Sequence, residues 1–401
     1  MNPTSLAAAY GTPAYAYDLA AVRAAHADLR AMLPEPSTVY YSLKANPHPR
    51  IVEQLHRLNA RAEVSSVGEI DAALAGGVPA QEILLTAPGK SDATIAYALR
   101  HGVRRMSVDS PTDLERVGRG AESVRCLLRV NADRPIGGAG LAMTGTASQF
   151  GADLSWVLRE PEMFGKSGRA EVDGLHVYMA TNLLDEDSLV AQFDTAAEAA
   201  EMLADAFGGL AEIDLGGGFG APYARAGLRS TWPTLKQRVE AILDRRLPGW
   251  RDGTPSISFE FGRYLVGDCG ILICRVLDVK RSKGQTFVVL DSGINHLGGM
   301  AGLRRLPPIV PTVVQVAAEA GHDAVATIVG PLCTPLDSML RNATLPPMHP
   351  GDLVVVPNIG AYGLTASLLG FLGHPAPIEI VCDGDAILDA SRLTITREGV
   401  R

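Results

Sequence analysis

From about residue 37 to Gly262, the chain alternates short runs rich in β-branched residues with longer stretches of helical periodicity. This alternation is typical of parallel strands joined by crossover helices. The predicted strands comprise residues 38–42, 63–65, 83–86, 105–108, 124–130, 174–178, 211–215 and 256–260, and the predicted helices comprise residues 49–58, 67–75, 92–101, 111–117, 186–206 and 232–244. Eight strands close a (β/α)8 barrel, so the pattern predicts an α/β fold of this kind.

After Gly262 the helical periodicity gives way to closely spaced short strands. Strands predicted at residues 269–279, 285–290, 323–329, 352–356 and 377–382 indicate a second, mainly antiparallel β domain. The first thirty residues contain a strand-like run at 14–17 and a helix at 20–32. We therefore predict a barrel over residues 30–265, and a β-sandwich or β-barrel-like domain formed by residues 1–29 and 266–401.

The composition excludes several classes of protein. Of the 401 residues, 47% are hydrophobic and 20% are charged, which excludes disorder as the overall state. The net charge is −8 and no basic run is present, so we expect no nucleic-acid partner. Residues 353–378 carry no Asp, Glu, Lys or Arg, but prolines and glycines interrupt them, which favours a strand, a loop and a short helix over a membrane span.

The cysteines and the N-terminus predict the compartment. Five cysteines, an odd number without a C-x-x-C pair, favour a reducing environment and no structural metal. The N-terminal segment has no basic residue before Arg23 and no bounded apolar stretch, so we expect no secretory signal. We therefore predict a cytoplasmic protein without membrane association.

Lys44 follows the first predicted barrel strand, and barrel enzymes carry their reactive groups where strands end. A partly desolvated lysine can lose its proton and form a Schiff base with a carbonyl compound. The alternative is an ordinary surface lysine whose stem packs against the strand end.

Two further strand ends carry candidate site residues. The seventh predicted strand runs into Gly216, Gly217 and Gly218, whose backbone N–H groups are able to converge on a phosphate, although a plain glycine turn is the alternative. The eighth ends in Glu260, with Arg263 three positions later. A buried carboxylate needs a cationic partner, which is either Arg263 itself or a protonated ring nitrogen of a ligand.

Six motifs occur in one order along the chain, and together they resemble the ornithine/diaminopimelate decarboxylase family of fold-type-III pyridoxal-phosphate enzymes. They are YSLKAN at 41–46, VSSVGEI at 64–70, GGGFG at 216–220, EFGRY at 260–264, GPLC at 330–333 and GAYG at 360–363. The resemblance implies an alanine-racemase-like barrel with a β domain, pyridoxal 5′-phosphate as cofactor, and a homodimer with shared active sites.

Residue roles follow from the same resemblance. Lys44 is implied to be the Schiff-base lysine, Glu260 the partner of the pyridine nitrogen, and Cys333 the acid that the second subunit supplies to reprotonate the quinonoid intermediate. Arg129 and Glu63 are implied to lie near the cofactor ring, where the family usually has Asp in place of Glu63. The implied phosphate ligands are Gly216, Gly217, Gly218, Gly262, Arg263 and Tyr362.

The departures from the family pattern concern the ring and the substrate. The family's His-x-Gly-Ser-Gln motif is replaced by YMATN at 178–182, so Tyr178 is expected to stack on the ring and Thr181 to bind phosphate, with His176 a core residue. Thr334 stands where relatives carry an acid for the substrate's distal amine. A buried ammonium without a carboxylate is costly, which disfavours a free diamino acid.

The segment CTPLD at 333–337 resembles decarboxylases of secondary metabolism that act on siderophore precursors or on carrier-protein-bound amino acids, as in antibiotic biosynthesis. Thr334 and Asp337 are predicted substrate contacts, and Arg304 or Arg305 is predicted to bind a distal carboxylate or the phosphopantetheine of a carrier protein. The alternative for the two arginines is a solvated basic pair.

The sequence therefore predicts decarboxylation of an L-amino acid or amino-acid conjugate, a carboxy-lyase reaction. Diaminopimelate decarboxylation, and racemisation or epimerisation on the same fold, are the alternative activities. A racemase needs two bases rather than one cysteine acid. A non-catalytic pyridoxal-phosphate carrier is a third reading, and the β domain after residue 262 counts against it. A glycine-loop dinucleotide oxidoreductase is the remaining one.

Overall fold

The computed structural model describes residues 1–133, 141–142, 147–297, 310–317 and 322–399. Its α-helices are α1 (Pro3–Tyr10), α2 (Leu19–Met32), α3 (Pro49–Arg57), α4 (Val67–Ala75), α5 (Asp92–Arg100), α6 (Pro111–Gly118), α7 (Leu154–Arg159), α8 (Glu162–Gly165), α9 (Glu186–Ala204), α10 (Leu235–Arg246) and α11 (Arg263–Val266).

The strands are β1 (Ala14–Asp18), β2 (Thr38–Ser42), β3 (Arg61–Val64), β4 (Ile83–Leu85), β5 (Arg105–Val108), β6 (Val124–Asn131), β7 (Leu141–Ala142), β8 (Ala152–Asp153), β9 (Lys166–Ser167), β10 (Ala170–His176), β11 (Ala180–Thr181), β12 (Glu212–Gly217), β13 (Ser256–Phe261), β14 (Gly270–Ser282), β15 (Gln285–Leu290), β16 (Val314–Gln315), β17 (Ala324–Val329), β18 (Ser338–Leu345), β19 (Leu353–Val356), β20 (Ile378–Asp383) and β21 (Ala386–Arg392).

Eight parallel strands form a closed barrel in the order β2, β3, β4, β5, β6, β10, β12 and β13, and β13 pairs with β2 to complete the ring. Tyr40, Leu84 and Leu127 form a buried cluster from β2, β4 and β6. Side chains from alternate strands fill barrel interiors in this way. The predicted (β/α)8 barrel is therefore confirmed.

Polar side chains fix where several barrel helices begin. Ser66, Ser91, Ser110 and Asp185 each accept a hydrogen bond from a backbone N–H in the first turn of the helix that follows. Each cap satisfies a donor that would otherwise lack a partner. The helix starts predicted at residues 67, 92, 111 and 186 agree with these positions.

The remaining strands form a second sheet in the order β18, β17, β15, β14, β1, β20 and β21, with β19 paired to β14 and β16 paired to β19. Its pairings are antiparallel except for β1 with β20 and β15 with β17, which confirms the mainly antiparallel β domain. The sequence did not predict β18 and β21. Both lie at the ends of the strand order, and β21 is largely exposed, so neither shows the alternation of apolar residues that reveals a half-buried strand.

The chain divides into two compact units, one of residues 23–221 and 229–265 and the other of residues 1–22, 222–228 and 266 onward. The short segment 222–228 thus joins the second unit, which the sequence patterns did not indicate. Among the described helices, none has both the length and the apolar character that crossing a bilayer requires. Residues 353–378, predicted as strand, loop and short helix, contain β19 and two short 3-10 turns.

Candidate active site

Lys44 lies in a short 3-10 turn, Leu43–Ala45, that directly follows barrel strand β2. Its Nζ is 3.8 Å from Glu63 Oε2 and 5.5 Å from the centre of the Tyr178 ring. The Lys44 side chain is 44% exposed whereas that of Glu63 is 1% exposed. The structure thus brings three of the predicted site residues together, with the amine on the accessible side.

Two glutamates flank this amine. Glu63 accepts a hydrogen bond from the Thr86 hydroxyl, which holds its carboxylate in place. Glu69 accepts a hydrogen bond of 2.6 Å from the backbone N–H of Ser65. Burial, reinforced by the charge of Glu63, raises the pKa of Glu69 to about 7, while Lys44 acts in the opposite direction. Glu69 was part of a recognised motif, but the sequence alone did not assign it to the site.

Glu260 lies in β13 with a second acid and a histidine beside it. His176 Nε2 is 3.5 Å from Glu260 Oε2, and His176 Nδ1 is 2.9 Å from the Ser107 hydroxyl. One ligand atom each of His176, Asp214 and Glu260 lie within 4.8 Å of one another, and all three residues are buried. This cluster combines two acids and one imidazole in the interior of the barrel unit.

The pKa values of the two acids in this cluster are shifted in opposite directions. Burial raises the pKa of Asp214 well above its ordinary value, and the charge of Glu260 adds to this effect. Burial also acts to raise the pKa of Glu260, but His176, Lys44 and Arg129 outweigh it and lower that pKa to about 2. These shifts favour the ionised form of Glu260 and the neutral form of Asp214.

Several buried polar atoms in the barrel unit lack hydrogen-bond partners among the described residues. They include Glu260 Oε1, Arg129 Nε, Glu63 Oε2 and His176 Nε2. The guanidinium of Arg129 also stacks 4.6 Å from the centre of the Phe150 ring. Because unsatisfied buried polar atoms are costly, they mark places where a polar ligand group belongs. Glu260 has a carboxylate oxygen without a partner, and the same barrel unit carries the accessible amine of Lys44. These two groups fit a pyridine ring that has a protonated nitrogen and an aldehyde.

The glycine run that begins at the end of β12 has a backbone explanation of its own. Gly216 and Gly218 have φ values of +68° and +87°, which favour glycine. A Cβ on Gly217 would collide with the carbonyl oxygen of Glu260, at the irregularity in the pairing of β12 with β13. These constraints bring the loop against the strand that carries Glu260, and they hold whether or not the loop binds phosphate.

The other predicted barrel ligands lie shortly after barrel strands. Thr181 is half-buried in the two-residue strand β11, which follows β10 and pairs with β7. Gly262 directly follows β13, so close to the turn of Lys44 that its Cβ would lie 2.8 Å from that of Ala45. Arg263 is the first residue of α11. Their proposed contact with a phosphate stays a prediction.

Four predicted residues belong to the second unit. Cys333 is exposed and Thr334 is half-buried, both in the segment between β17 and β18. Tyr362 has a φ of +53°, and its carbonyl oxygen accepts a hydrogen bond of 2.9 Å from the Tyr223 hydroxyl. The fourth, Asp337, is buried. Arg304 and Arg305, the predicted ligands of a distal carboxylate or phosphopantetheine, lie outside the described residues.

The structure corrects the prediction that Asp337 contacts substrate. Asp337 is 4% exposed, and its two carboxylate oxygens accept backbone N–H groups of Ile294 at 2.9 Å and Leu332 at 2.8 Å. A Cβ on Gly293 would collide with this carboxylate. Asp337 therefore links two segments of its own unit, and each of its oxygens is engaged by a backbone N–H group.

His176, predicted as a core residue, is indeed buried, but its position beside Glu260 was not predicted, and neither was that of Asp214. The signal for His176 was available, because residues two apart in a strand share a face and Tyr178 was already assigned to the ring. Asp214 lies two residues before Gly216, and its Oδ1 accepts a 2.8 Å hydrogen bond from the N–H of Gly216. Placing it beside Glu260 required the pairing of β12 with β13, which no local pattern reveals.

An accessible amine and a buried carboxylate that favours its ionised form, both in one parallel barrel, suit the binding of an aldehyde cofactor. Residues 19–267 match the family described as "Pyridoxal-dependent decarboxylase, pyridoxal binding domain", and the chain belongs to this family. Its cofactor is pyridoxal 5′-phosphate and its reaction is the decarboxylation of an amino acid or amino-acid conjugate. When bound, the cofactor supplies a ring that accepts the electrons of the breaking bond.

Curated relatives include decarboxylases of three kinds. The L-glutamyl-[BtrI acyl-carrier protein] decarboxylase of Niallia circulans is 31% identical over 393 residues, covering 94% of this chain and 90% of that protein. The 2-[(L-alanin-3-ylcarbamoyl)methyl]-2-hydroxybutanedioate decarboxylase of Staphylococcus aureus is 30% identical, covering 90% and 92%. The structure of diaminopimelate decarboxylase from Helicobacter pylori with L-lysine aligns with a TM-score of 0.83 at 26% identity, covering 96% and 95% of the two chains.

Proposed function

We propose that this decarboxylase acts on an L-amino acid whose distal end is joined to a larger group, such as a carrier protein or a siderophore or antibiotic precursor. The main support is that Thr334, which carries no charge, lies next to the exposed Cys333. A free distal ammonium at this position would meet a neutral side chain, and the described acid of the same segment, Asp337, is buried with each oxygen bonded to a backbone N–H group. Two relatives, at 31% and 30% identity, are named for a carrier-bound and a conjugated substrate, and another at 30% is a diaminopimelate decarboxylase of Methanothermobacter thermautotrophicus.

The proposed roles in the barrel follow from charge and access. Lys44 binds the cofactor aldehyde through its amine, and Glu260 holds a proton on the ring nitrogen. Glu63, Arg129 and Tyr178 would hold the ring, since Glu63 Oε2 and the Tyr178 ring centre lie 3.8 Å and 5.5 Å from the Lys44 amine. The proposed ligands of the phosphate are Thr181, Gly216, Gly217, Gly218, Gly262, Arg263 and Tyr362.

We propose that the active enzyme is a homodimer in which Cys333 of one subunit supplies a proton to the site of the other. The exposure of Cys333 and of the apolar Leu336, whose side chain is 73% exposed, supports a segment that another subunit covers. After carbon dioxide leaves, Cys333 and Lys44 are the groups that return a proton to the α-carbon. A cytoplasmic location stays a prediction.

A substrate panel tests the proposed specificity. We expect kcat/KM for carbon dioxide release from glutamate attached through its side chain to an acyl carrier protein to exceed that for free diaminopimelate, lysine or ornithine by about 100-fold or more. Leaving one ammonium unpaired accounts for roughly 3 kcal/mol of this difference. Efficient turnover of free diaminopimelate would overturn the proposal.

Two substitutions at Thr334 make the panel sharper. Thr334→Glu supplies the missing carboxylate and is expected to raise turnover of diamino acids relative to the carrier-bound substrate. Thr334→Val removes the hydroxyl without adding charge, so it should leave diamino acids as poor substrates. If both variants gained turnover of diamino acids equally, the size of the side chain rather than its charge would determine the specificity.

A complementation experiment tests the shared site. Lys44→Ala and Cys333→Ala are each expected to be inactive as pure homodimers. After subunit exchange in an equal mixture, half of the dimers are hybrids with one intact site, so activity should recover to about a quarter of the wild-type value. Differently tagged subunits monitor the exchange. Complete exchange without recovered activity would place both residues in a site formed by one chain.

A further inference from the structure

His176 and Asp214 lie beside Glu260 in the barrel, and the function proposed above gives neither of them a role. The side chains of His176, Asp214 and Glu260 are 1%, 0% and 2% exposed, respectively. They come from three adjacent strands, β10, β12 and β13. Two buried acids this close repel each other when both are ionised. A neighbouring hydrogen-bond donor or positive charge beside one of them therefore decides which acid stays ionised.

The two oxygens of Glu260 have different surroundings. Oε2 lies 3.5 Å from His176 Nε2, an electrostatic contact longer than a formed hydrogen bond, and neither Nε2 nor Oε1 has a hydrogen-bond partner within the described ranges. The opposite nitrogen of the His176 ring, Nδ1, lies 2.9 Å from the Ser107 hydroxyl in β5. A hydroxyl that donates to Nδ1 leaves the ring proton on Nε2, where it points at Glu260.

We propose that His176, anchored by Ser107, is a positioning residue that faces one oxygen of Glu260, favours the ionised form of this carboxylate and leaves the other oxygen for the protonated nitrogen of the cofactor ring. The proposal rests on the proposed contact between Glu260 and the ring. Asp214 accepts a hydrogen bond from Gly216, and burial favours its neutral form, which adds no second negative charge. Lys44 and Arg129 assist from a greater distance, because both lower the pKa of Glu260.

The protonation of the ring nitrogen is the property to measure. We expect holoenzyme loaded with ¹⁵N-labelled cofactor to show a protonated ring nitrogen by NMR. In His176→Phe and in Ser107→Ala the signal should move toward that of an unprotonated pyridine, as the ratio of protonated to unprotonated ring falls about tenfold or more. His176→Gln retains an N–H donor and should give an intermediate signal. If His176→Phe does not fold, Ser107→Ala carries the test.

Ser258→Ala is the matched control. Ser258 is also buried, on the same strand as Glu260, but its hydroxyl donates to Glu212 at 2.7 Å. Its loss should leave the ring signal unchanged even if thermal stability falls. An unchanged signal in both His176→Phe and Ser107→Ala would overturn the inference while leaving the role of Glu260 intact. A wild-type ring without a proton would instead overturn the proposed role of Glu260.

The same three side chains suit a divalent metal ion, so metal content is the second measurement. We expect no stoichiometric metal in purified holoenzyme. A bound ion that disappears in His176→Phe would overturn the hydrogen-bonding role.

Discussion

Lys44→Ala is expected to abolish the visible absorption band of the bound cofactor and to lower kcat by about 10³-fold or more. The amine is the accessible member of its cluster, 44% exposed and 3.8 Å from the buried carboxylate of Glu63. Without it the cofactor has no covalent attachment, and the α-carbon loses one of its two proposed proton sources. Spectra of the purified variant, followed by single-turnover kinetics with added cofactor, separate these two losses.

The chain offers a matched control in Lys90, which also follows a barrel strand. Its side chain is fully buried, and its Nζ lies 2.7 Å from Asp113 and 4.0 Å from Asp109, so it is an ion-paired structural lysine. Reduction of the holoenzyme with borohydride should label the peptide containing Lys44 and leave that of Lys90 unlabelled. Lys44→Arg should also lose the band, since a guanidinium stays protonated. A label on another lysine would refute the assignment.

The barrel and its amine could be predicted because their signals are local. Successive runs of β-branched residues predicted eight strands, and Lys44 and Glu260 were found because each follows or ends such a run. The start of α4 was equally clear, since Ser66 caps the helix with its own side chain. Information of this kind lies within a few residues, so one chain is sufficient to reveal it.

The contacts that were missed depend on residues far apart in the chain. His176 meets Ser107 across 69 positions and Glu260 only after barrel closure brings β10 and β13 to the same interior. Asp337 was misread for a related reason. Its sequence neighbours suggested a substrate contact, whereas the backbone N–H groups that occupy its carboxylate include that of Ile294, 43 positions away. Whether a carboxylate is available for a ligand depends on partners that the local sequence does not reveal.

Glu260→Gln is expected to retain the cofactor and to lower kcat by about 10²–10³-fold, with a much smaller change in KM. The amide has the shape of the carboxylate but carries no charge, so it cannot keep a proton on the ring nitrogen. Steady-state kinetics across the same substrate panel would measure the split between kcat and KM.

Asp214→Asn is the control that separates charge from packing within this one cluster. Burial already keeps Asp214 protonated, with a pKa well above its ordinary value, and its Oδ1 accepts from Gly216 as an amide oxygen also would. Its replacement therefore removes little charge, and kcat should fall no more than about tenfold. Equal losses in the two variants would mean that the cluster acts through its packing. If kcat falls only in Glu260→Gln, the charge of Glu260 is what matters. This is the result expected when the pKa values of two neighbouring buried acids are shifted in opposite directions.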